Sequence, residues 1–185
     1  MQSLFIKKKL NYTGAQLSTH WAYKEFDLKG DSIVAFIGRC DVKPEFMIDL
    51  QDLKEGEKIF SSKMLHFIIE HFDADIDKAI LRQRLFAAIA REETENISGK
   101  KISRDGDDLY YKKRKLSISI ATVSPVSSLI HFGLNIETKD VPVAAAGLSE
   151  LHISAIKLAK ILFKRYQGEL ESISDARARV RVANK

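Results

Sequence analysis

The sequence predicts an α+β domain, with a largely antiparallel mixed sheet of about five to seven strands and about three or four helices packed mainly on one face. Residues 106–137 alternate apolar and polar side chains in two long runs, which is the periodicity of β-strands. Residues 32–37 form a nearly continuous apolar run, as expected of a buried strand. Residues 148–168 repeat apolar side chains at helical spacing, with lysines on the opposite side.

The composition is typical of a soluble globular protein, since 45% of the 185 residues are hydrophobic and 30% are charged. This length predicts a single domain over residues 1–185, and no apolar run is long enough to cross a membrane. The N-terminus begins with strand-like sequence rather than a signal peptide, and the one cysteine, Cys40, fits a reducing compartment, so we expect a cytoplasmic protein. The net charge of +5 is compatible with ligands that carry phosphate, or with RNA.

The first third of the chain is predicted to contain two strands and a short helix. Alternation over residues 3–12 predicts the first strand, and apolar spacing over residues 16–26 indicates the helix. The buried strand of residues 32–37 comes next and ends at Gly38. Residues 43–57 contain proline, glycine and two aspartates, so an irregular connection with one helical turn is expected there.

A helix is predicted to follow this connection. Serines at residues 61 and 62 suit its N-terminal cap, and an apolar stripe covers residues 64–72 at helical spacing. On such a helix, His66, Glu70 and Asp73 share another face. That face is either a site for a divalent metal or a polar surface in which His66 is hydrogen-bonded to Glu70.

The centre of the predicted sheet lies between residues 106 and 137. A short strand over residues 109–111 is followed by a turn at Lys112 and Lys113, a long strand, a serine-rich connection and a second long strand. The turn and the two residues after it carry four positive charges, just beyond Asp107 and Asp108. Such a charge run is either a solvated hairpin tip or part of a binding site.

Two further helices are predicted, one capped by Asp75 or Asp77 and running to about residue 96, and one over residues 148–168. The end of the chain, residues 175–185, alternates charged and small apolar residues. It is predicted to be a flexible tail, with a final edge strand or a phosphate-binding arm as the alternatives.

The central hairpin resembles part of the catalytic domains of biotin and lipoate protein ligases. Three segments carry the resemblance: Asp107–Tyr110, Arg114–Ser117 and Gly133–Ile136. The ligases have Asn-Asp-Leu-Tyr, then a basic pair followed by Leu-Ser-Gly or a close variant, then Gly-x-Asn with Ile or Val. The whole chain also resembles a prokaryotic family of uncharacterised small proteins thought to share this fold, through segments such as residues 38–42 and 64–73.

The resemblance implies a ligand site on this hairpin, with ATP and magnesium as the candidate cofactors. In the ligases, the lysine that matches Lys115 contacts the acyl-adenylate, and the aspartate that matches Asp108 lies near the nucleotide phosphates. His131 precedes Phe-Gly, which is similar to a His-His-Gly of lipoate ligases, and its alternative is a structural histidine under a helix. The catalytic candidates are therefore Lys115, Asp108 and His131, and the ligand-binding candidates are Gly38, Arg39, Asp107, Arg114 and Gly133.

Arg39 is included because lipoate ligases have a comparable strand that ends Ile-Gly-Arg at the ligand cleft. Its guanidinium would pair with a carboxylate or phosphate, and the alternative is an arginine in solvent. The chain also departs from the ligase pattern. The glycine- and arginine-rich loop that closes over the phosphates has no counterpart in this sequence, Ile118 replaces a glycine, and Asp107 replaces an asparagine.

Three functions are compatible with these observations. In the first, the chain binds a nucleotide or acyl ligand, or acts as a divergent ligase or transferase. In the second, it is a non-catalytic RNA- or nucleotide-binding protein that uses the basic hairpin and the arginines at positions 177, 179 and 181. In the third, it is an interaction protein that forms a homodimer through a sheet edge or through the helix that begins at Leu148.

Overall fold

The computed structural model describes residues 1–139, 141–181 and 183, which form eight strands, four α-helices and one short 3₁₀ helix at Pro44–Phe46. The strands are β1 (Gln2–Ile6), β2 (Ser32–Asp41), β3 (Phe60–His71), β4 (Ser103–Asp105), β5 (Asp108–Tyr111), β6 (Arg114–Lys115), β7 (Ser117–Val123) and β8 (Ser128–Glu137). The helices are α1 (Trp21–Phe26), α2 (Leu50–Glu55), α3 (Ile76–Ser98) and α4 (Ala155–Arg179).

The main sheet has five strands in the order β1-β2-β3-β8-β7. Strand β1 is parallel to β2, and the other three pairs are antiparallel. A smaller sheet, β4-β5-β6, is antiparallel and joins the main sheet where β6 passes into β7. The predicted α+β class, with a mixed and largely antiparallel sheet, is confirmed.

One face of the main sheet carries the two long helices. Phe67 of β3 contacts Phe86 of α3 and Phe163 of α4 edge-to-face, with ring centroids 5.1 Å and 6.1 Å apart. Phe132 of β8 packs on Phe86 in the same manner. All belong to the larger apolar cluster of the protein, and burying aromatic surface of this kind is a main source of folding free energy.

The opposite face carries a smaller apolar cluster and leaves room for a cavity. Phe36, Met64 and Ile68 form this cluster with Tyr12 and Cys40. These sheet residues alternate along β2 and β3 with the side chains that face the helices, as the period of a strand requires. The segment between β2 and β3, which includes α2, lies over this face.

The predicted helix over residues 61–72 is wrong, because these residues form β3. Strand β3 lies between β2 and β8 and is buried on both faces, so its apolar residues run almost continuously. A continuous run satisfies helical spacing as readily as strand spacing. The shared helix face of His66, Glu70 and Asp73 therefore does not exist.

The last helix also differs from the prediction. Residues 148–152 form turns, with His152 at a φ of 57°, and α4 begins only after Ser154, whose side chain caps it. It then continues through Gly168 to Arg179, so the first five residues of the predicted tail are helical. Residues 182, 184 and 185 of that tail lie outside the described residues. No helix in the described part of the chain is long and apolar enough to cross a membrane.

Candidate functional site

A cavity of about 240 Å³ lies on the side of the main sheet opposite α3 and α4. Strands β7 and β8 contribute to its floor, and residues 42–59 form its outer wall. Four predicted site residues, Lys115, Asp108, Asp107 and His131, line it together. A second cavity of similar volume adjoins it, since Lys115 and Ile118 border both.

The hairpin β5–β6 brings Lys115 next to Asp108. The two residues of its turn, Lys112 and Lys113, both have positive φ, as the tightest hairpin turns require. Lys115 then pairs with Tyr110 across the hairpin, and its Nζ lies 2.8 Å from Asp108 Oδ2. The predicted turn is confirmed, and the predicted catalytic pair is in contact.

The backbone of Lys115 is held on both sides. Its N–H donates to the carbonyl of Ala144, and its carbonyl accepts hydrogen bonds from the Ala146 N–H and from Asn135 Nδ2. These bonds link β6 to β8 and to the segment that leads toward α4. These hydrogen bonds therefore fix the backbone position from which the Lys115 side chain extends.

Burial and ion pairing have opposite effects on the pKa values of Asp108 and Lys115. Asp108 is the more enclosed, with 24% of its side chain exposed against 34% for Lys115. Burial raises the pKa of Asp108 and outweighs the opposing hydrogen bond and attraction of Lys115. For Lys115, burial opposes the charge, but the hydrogen bond and attraction of Asp108 outweigh it and raise the pKa. The two side chains form a partly buried ion pair across the hairpin.

Asp107 connects the cavity to α3. Its carboxylate accepts a hydrogen bond from Gln83 Nε2 at 2.7 Å and pairs with Arg84 at 3.0 Å. Gln83 also donates to Ser119 Oγ on β7. Asp107 therefore takes part in a set of polar contacts between α3 and the sheet, and it also lines the cavity.

His131 lies in a stack of rings beneath the cavity. The ring of Tyr12 stacks on it, with centroids 3.8 Å apart and planes 9° from parallel. Its Nε2 lies 3.0 Å from Nδ1 of His66 on the neighbouring strand. Burial lowers the pKa of His66 to about 3 and lowers that of His131 well below its ordinary value, with the neighbouring His66 adding to the effect. Both rings are therefore neutral at physiological pH.

The two predicted glycines are places of close packing. A Cβ on Gly133 would lie 2.8 Å from the methyl carbon of Met64, beneath the cavity. A Cβ on Gly38 would lie 1.8 Å from the carbonyl oxygen of Leu10, so only glycine fits where residues 10–12 cross β2. Gly38 does not line the cavity, but its carbonyl lies 3.4 Å from His66 Nε2.

The two predicted arginines point elsewhere. Arg39 is half-exposed, pairs with Asp41 at 2.9 Å and lies over the ring of Phe60. Arg114 pairs with Glu150 at the far side of the hairpin. Neither lines the cavity formed by Lys115 and His131.

Three residues that line the cavity were not identified from the sequence. Tyr12 follows the first strand and reaches the cavity because residues 10–12 pair with the end of β2. Asp49 caps α2 and Asp52 lies in its first turn, and both line the cavity. Burial and the nearby Asp49 raise the pKa of Asp52. The aspartates of this connection were the available signal.

The described residues contain no group of three histidine, cysteine, aspartate or glutamate side chains placed to hold a metal ion. Glu70 instead accepts hydrogen bonds from Ser127 Oγ and from the backbone of His20, so the alternative His66–Glu70 hydrogen bond is wrong. Asp73 pairs with Arg82 through two hydrogen bonds.

Comparison with known proteins identifies relatives over nearly the whole chain. A family model described as a domain of unknown function, DUF366, matches residues 1–181. An uncharacterised protein of Methanocaldococcus jannaschii is 41% identical over 180 residues, which cover 94% of this chain and 81% of that protein. A solved structure of a protein of unknown function from Pyrococcus horikoshi is 41% identical, covers both chains fully and has a TM-score of 0.95.

More distant solved structures share the fold alone. Biotin protein ligase from Aquifex aeolicus, in complex with biotin and ATP, has a TM-score of 0.64 at 15% identity over 94% of this chain and 72% of that one. A T. acidophilum protein, described as a candidate lipoate protein ligase with bound lipoic acid, has a TM-score of 0.60 at 13% identity, covering 92% and 86%. The resemblance of the central hairpin to these ligases therefore extends to the whole fold.

Proposed function

This chain belongs to the DUF366 family, and we propose that it binds a small acyl or nucleotide-like ligand in the cavity beside Lys115 and Asp108. One observation carries the proposal: in a ligase-like fold, Lys115, Asp108 and His131 meet at a single cavity although they come from three separate strands. The structural neighbours described with biotin, ATP or lipoic acid support a small-molecule ligand.

The lining of the cavity suits a ligand with a polar end and a less polar body. Among the described lining residues, Lys115 offers the one ammonium, and because Asp108 engages one of its three N–H donors, the others can donate to an acceptor of the ligand such as a carboxylate or phosphate. Met47, Ile48 and Ile118 supply apolar surface. The volume of about 240 Å³ is slightly below the usual range of small-molecule sites, so a small ligand, or one portion of a longer ligand, fits.

The residues do not fit ATP with magnesium. Asp107 and Asp108 are the carboxylates that the resemblance assigns to the nucleotide side, yet Arg84 and Lys115 already neutralise them. The sequence also has no glycine- and arginine-rich loop to enclose a triphosphate. We therefore propose binding and derive no adenylation step.

A thermal-shift panel tests the proposal. The ligands are AMP, ATP with and without magnesium, biotin, lipoate, octanoate and a short RNA, each against the wild type, Lys115→Ala and Lys101→Ala. Lys101 is an exposed lysine outside the cavity and serves as the matched control. A ligand that binds the folded state raises the melting temperature by mass action.

We expect a shift with an acyl acid or a nucleotide that is lost in Lys115→Ala and kept in Lys101→Ala. A shift that both variants keep would place the ligand elsewhere. A shift with RNA alone that disappears at high salt would replace this function with phosphate-driven RNA binding.

A further inference from the structure

His66 and His131 meet under the cavity as a buried pair. They lie on neighbouring strands, where Ile68 pairs with His131 and His66 pairs with Gly133, so the two rings meet diagonally on one face. Their nitrogens are 3.0 Å apart, which requires one ring to donate and the other to accept. Their exposed fractions are 0% and 2%.

The contacts indicate which nitrogen carries each proton. The carbonyl of Gly38 can only accept, so His66 Nε2, 3.4 Å away, carries a hydrogen. A neutral imidazole has one N–H, so His66 Nδ1 is a bare acceptor. His131 Nε2 must then donate to it, which leaves His131 Nδ1 as a bare acceptor too.

His131 Nδ1 remains open to the cavity. No residue in the described part of the chain donates a hydrogen bond to it. In the described part of the chain, every side-chain nitrogen or oxygen atom that is sealed from solvent has a hydrogen-bond partner, except Ser61 Oγ. Because His131 Nδ1 has no such partner, it is not one of the sealed atoms. His131 lines the cavity, and the cavity is therefore the space that this atom reaches.

Tyr12 adds a second polar atom at the same place. Its ring stacks on His131, and its hydroxyl is likewise neither sealed nor hydrogen-bonded within the described residues. Burial raises the pKa of this phenol, so the hydroxyl keeps its proton and can donate. The stacked pair thus offers one acceptor and one donor to the cavity.

We propose that His66 holds His131 Nδ1 as a fixed hydrogen-bond acceptor, so that the cavity selects a neutral ligand edge with an N–H donor beside an acceptor. A nucleobase and a cyclic amide both have such an edge, whereas the chain of a fatty acid does not. This selection rests on the function proposed above, because it concerns the same cavity. His131 contacts the ligand, and His66 is a positioning residue.

The charged residues around His131 also favour a neutral ligand group at this place. Asp49 and Asp52 line the same cavity, and carboxylates disfavour an anion placed among them. An anionic end of the ligand belongs beside Lys115, and the neutral end belongs beside Tyr12 and His131.

The arrangement of protons can be measured in the protein without a ligand. Nitrogen-15 NMR of histidine-labelled protein distinguishes the two neutral tautomers by their ring couplings. We expect His66 and His131 both to carry hydrogen on Nε2. His71 serves as an internal reference of the opposite kind, because its Nδ1 contacts Asp31 and its Nε2 contacts the hydroxyl of Tyr166.

The variant His66→Phe removes the acceptor for His131 Nε2–H. We expect His131 to become a mixture of tautomers while the His71 signals, which report the intact fold, stay unchanged. A His131 that carries hydrogen on Nδ1 in the wild type, or that keeps its tautomer in His66→Phe, would overturn the positioning role.

The ligand arm uses two matched pairs, uridine against its ring-N-methylated form and a six-membered lactam against its N-methyl derivative. The first pair tests a nucleobase source and the second a cyclic amide. We expect methylation to weaken binding about fivefold or more in the wild type and to have little effect in His131→Phe.

Equal binding of the methylated and unmethylated probes would overturn the selection. So would binding of octanoate with neither pair bound, although the proposed function would then stand. If no probe and no panel ligand binds, both the selection and the proposed function fail. The tautomers of the free protein still decide whether His66 positions His131.

Discussion

The buried histidine pair predicts a loss of stability in mild acid. An unfolded histidine has a pKa of 6.5, whereas the folded pKa of His66 is about 3 and that of His131 is also far below its ordinary value. Below pH 6.5 the unfolded chain therefore takes up two protons that the folded protein does not bind. Stability is present above the unfolded pKa and is lost as the pH falls toward the folded values.

The size of the loss follows from linkage. Lowering the pH from 7 to 5 costs about 2 kcal/mol for each histidine that stays neutral when folded, and about 4 kcal/mol for the pair. His131→Asn keeps one such histidine and should lose only about 2 kcal/mol over the same interval. His152→Asn is the matched control, because His152 is exposed and asparagine tolerates its positive φ.

Urea unfolding, followed by the fluorescence of the single tryptophan, Trp21, measures these free energies at several pH values. Carboxylates with shifted pKa values are common to all three proteins, so the comparison isolates the histidines. We expect His152→Asn to follow the wild type and His131→Asn to lose about 2 kcal/mol less than the wild type between pH 7 and 5. Equal losses for the wild type and His131→Asn would refute the assignment of two neutral buried rings.

Three other predictions concern stability and are measured by the same unfolding experiment. Asp73→Asn should lower the free energy of unfolding by about 2 kcal/mol at neutral pH, because the hydrogen bonds from Arg82 stabilise the Asp73 carboxylate and depress its pKa. The difference should vanish in acid, where that carboxylate is protonated in the wild type as well. Gly38→Ala should be strongly destabilising or prevent folding, since its Cβ would overlap the Leu10 carbonyl. Gly168→Ala should instead stabilise by about 0.5–1 kcal/mol, since it lies in a helix with no atom near the added Cβ, and an equal effect of the two glycine variants would contradict this packing.

The regular periodicities were the part of the fold that the sequence could predict. The two long strands β7 and β8 alternate and are separated by a serine-rich connection, and both the strands and the connection are present. The helix α3 begins after Asp75, which is one of the two aspartates predicted as its cap. Ile130 and Phe132 pack in the helix-side cluster, and His131 between them lines the cavity on the other face, as the alternation of a strand requires.

Strand β3 could not be recognised in the same way because both of its faces are buried. The apolar residues of positions 64, 65, 68 and 69 fit a helical stripe, and the serines before them resembled a helix cap. The intervening Phe67 and the two isoleucines after it are residues that favour strands, and they were the signal against a helix.

The candidate site was predicted only where its residues belong to the central hairpin. Lys115 and Asp108 are close in sequence, and a two-residue turn brings them together. The contact between His66 and His131 depends on the register of β3 against β8, and the two residues are 65 positions apart in the chain, so local sequence patterns do not reveal it. Tyr12 joins them through a crossing that only the folded chain makes.

Titration calorimetry with the panel ligands tests the central claim most directly. We predict that at least one acyl or nucleotide ligand binds the wild type and Lys101→Ala equally. Its affinity for Lys115→Ala should be about 10- to 100-fold weaker, the value of a lost charge-assisted hydrogen bond. The ligand that binds should also protect the Lys115 side chain from amine-reactive reagents. Equal affinity for Lys115→Ala and Lys101→Ala, or no heat with any ligand, would contradict a binding site beside Lys115 and Asp108.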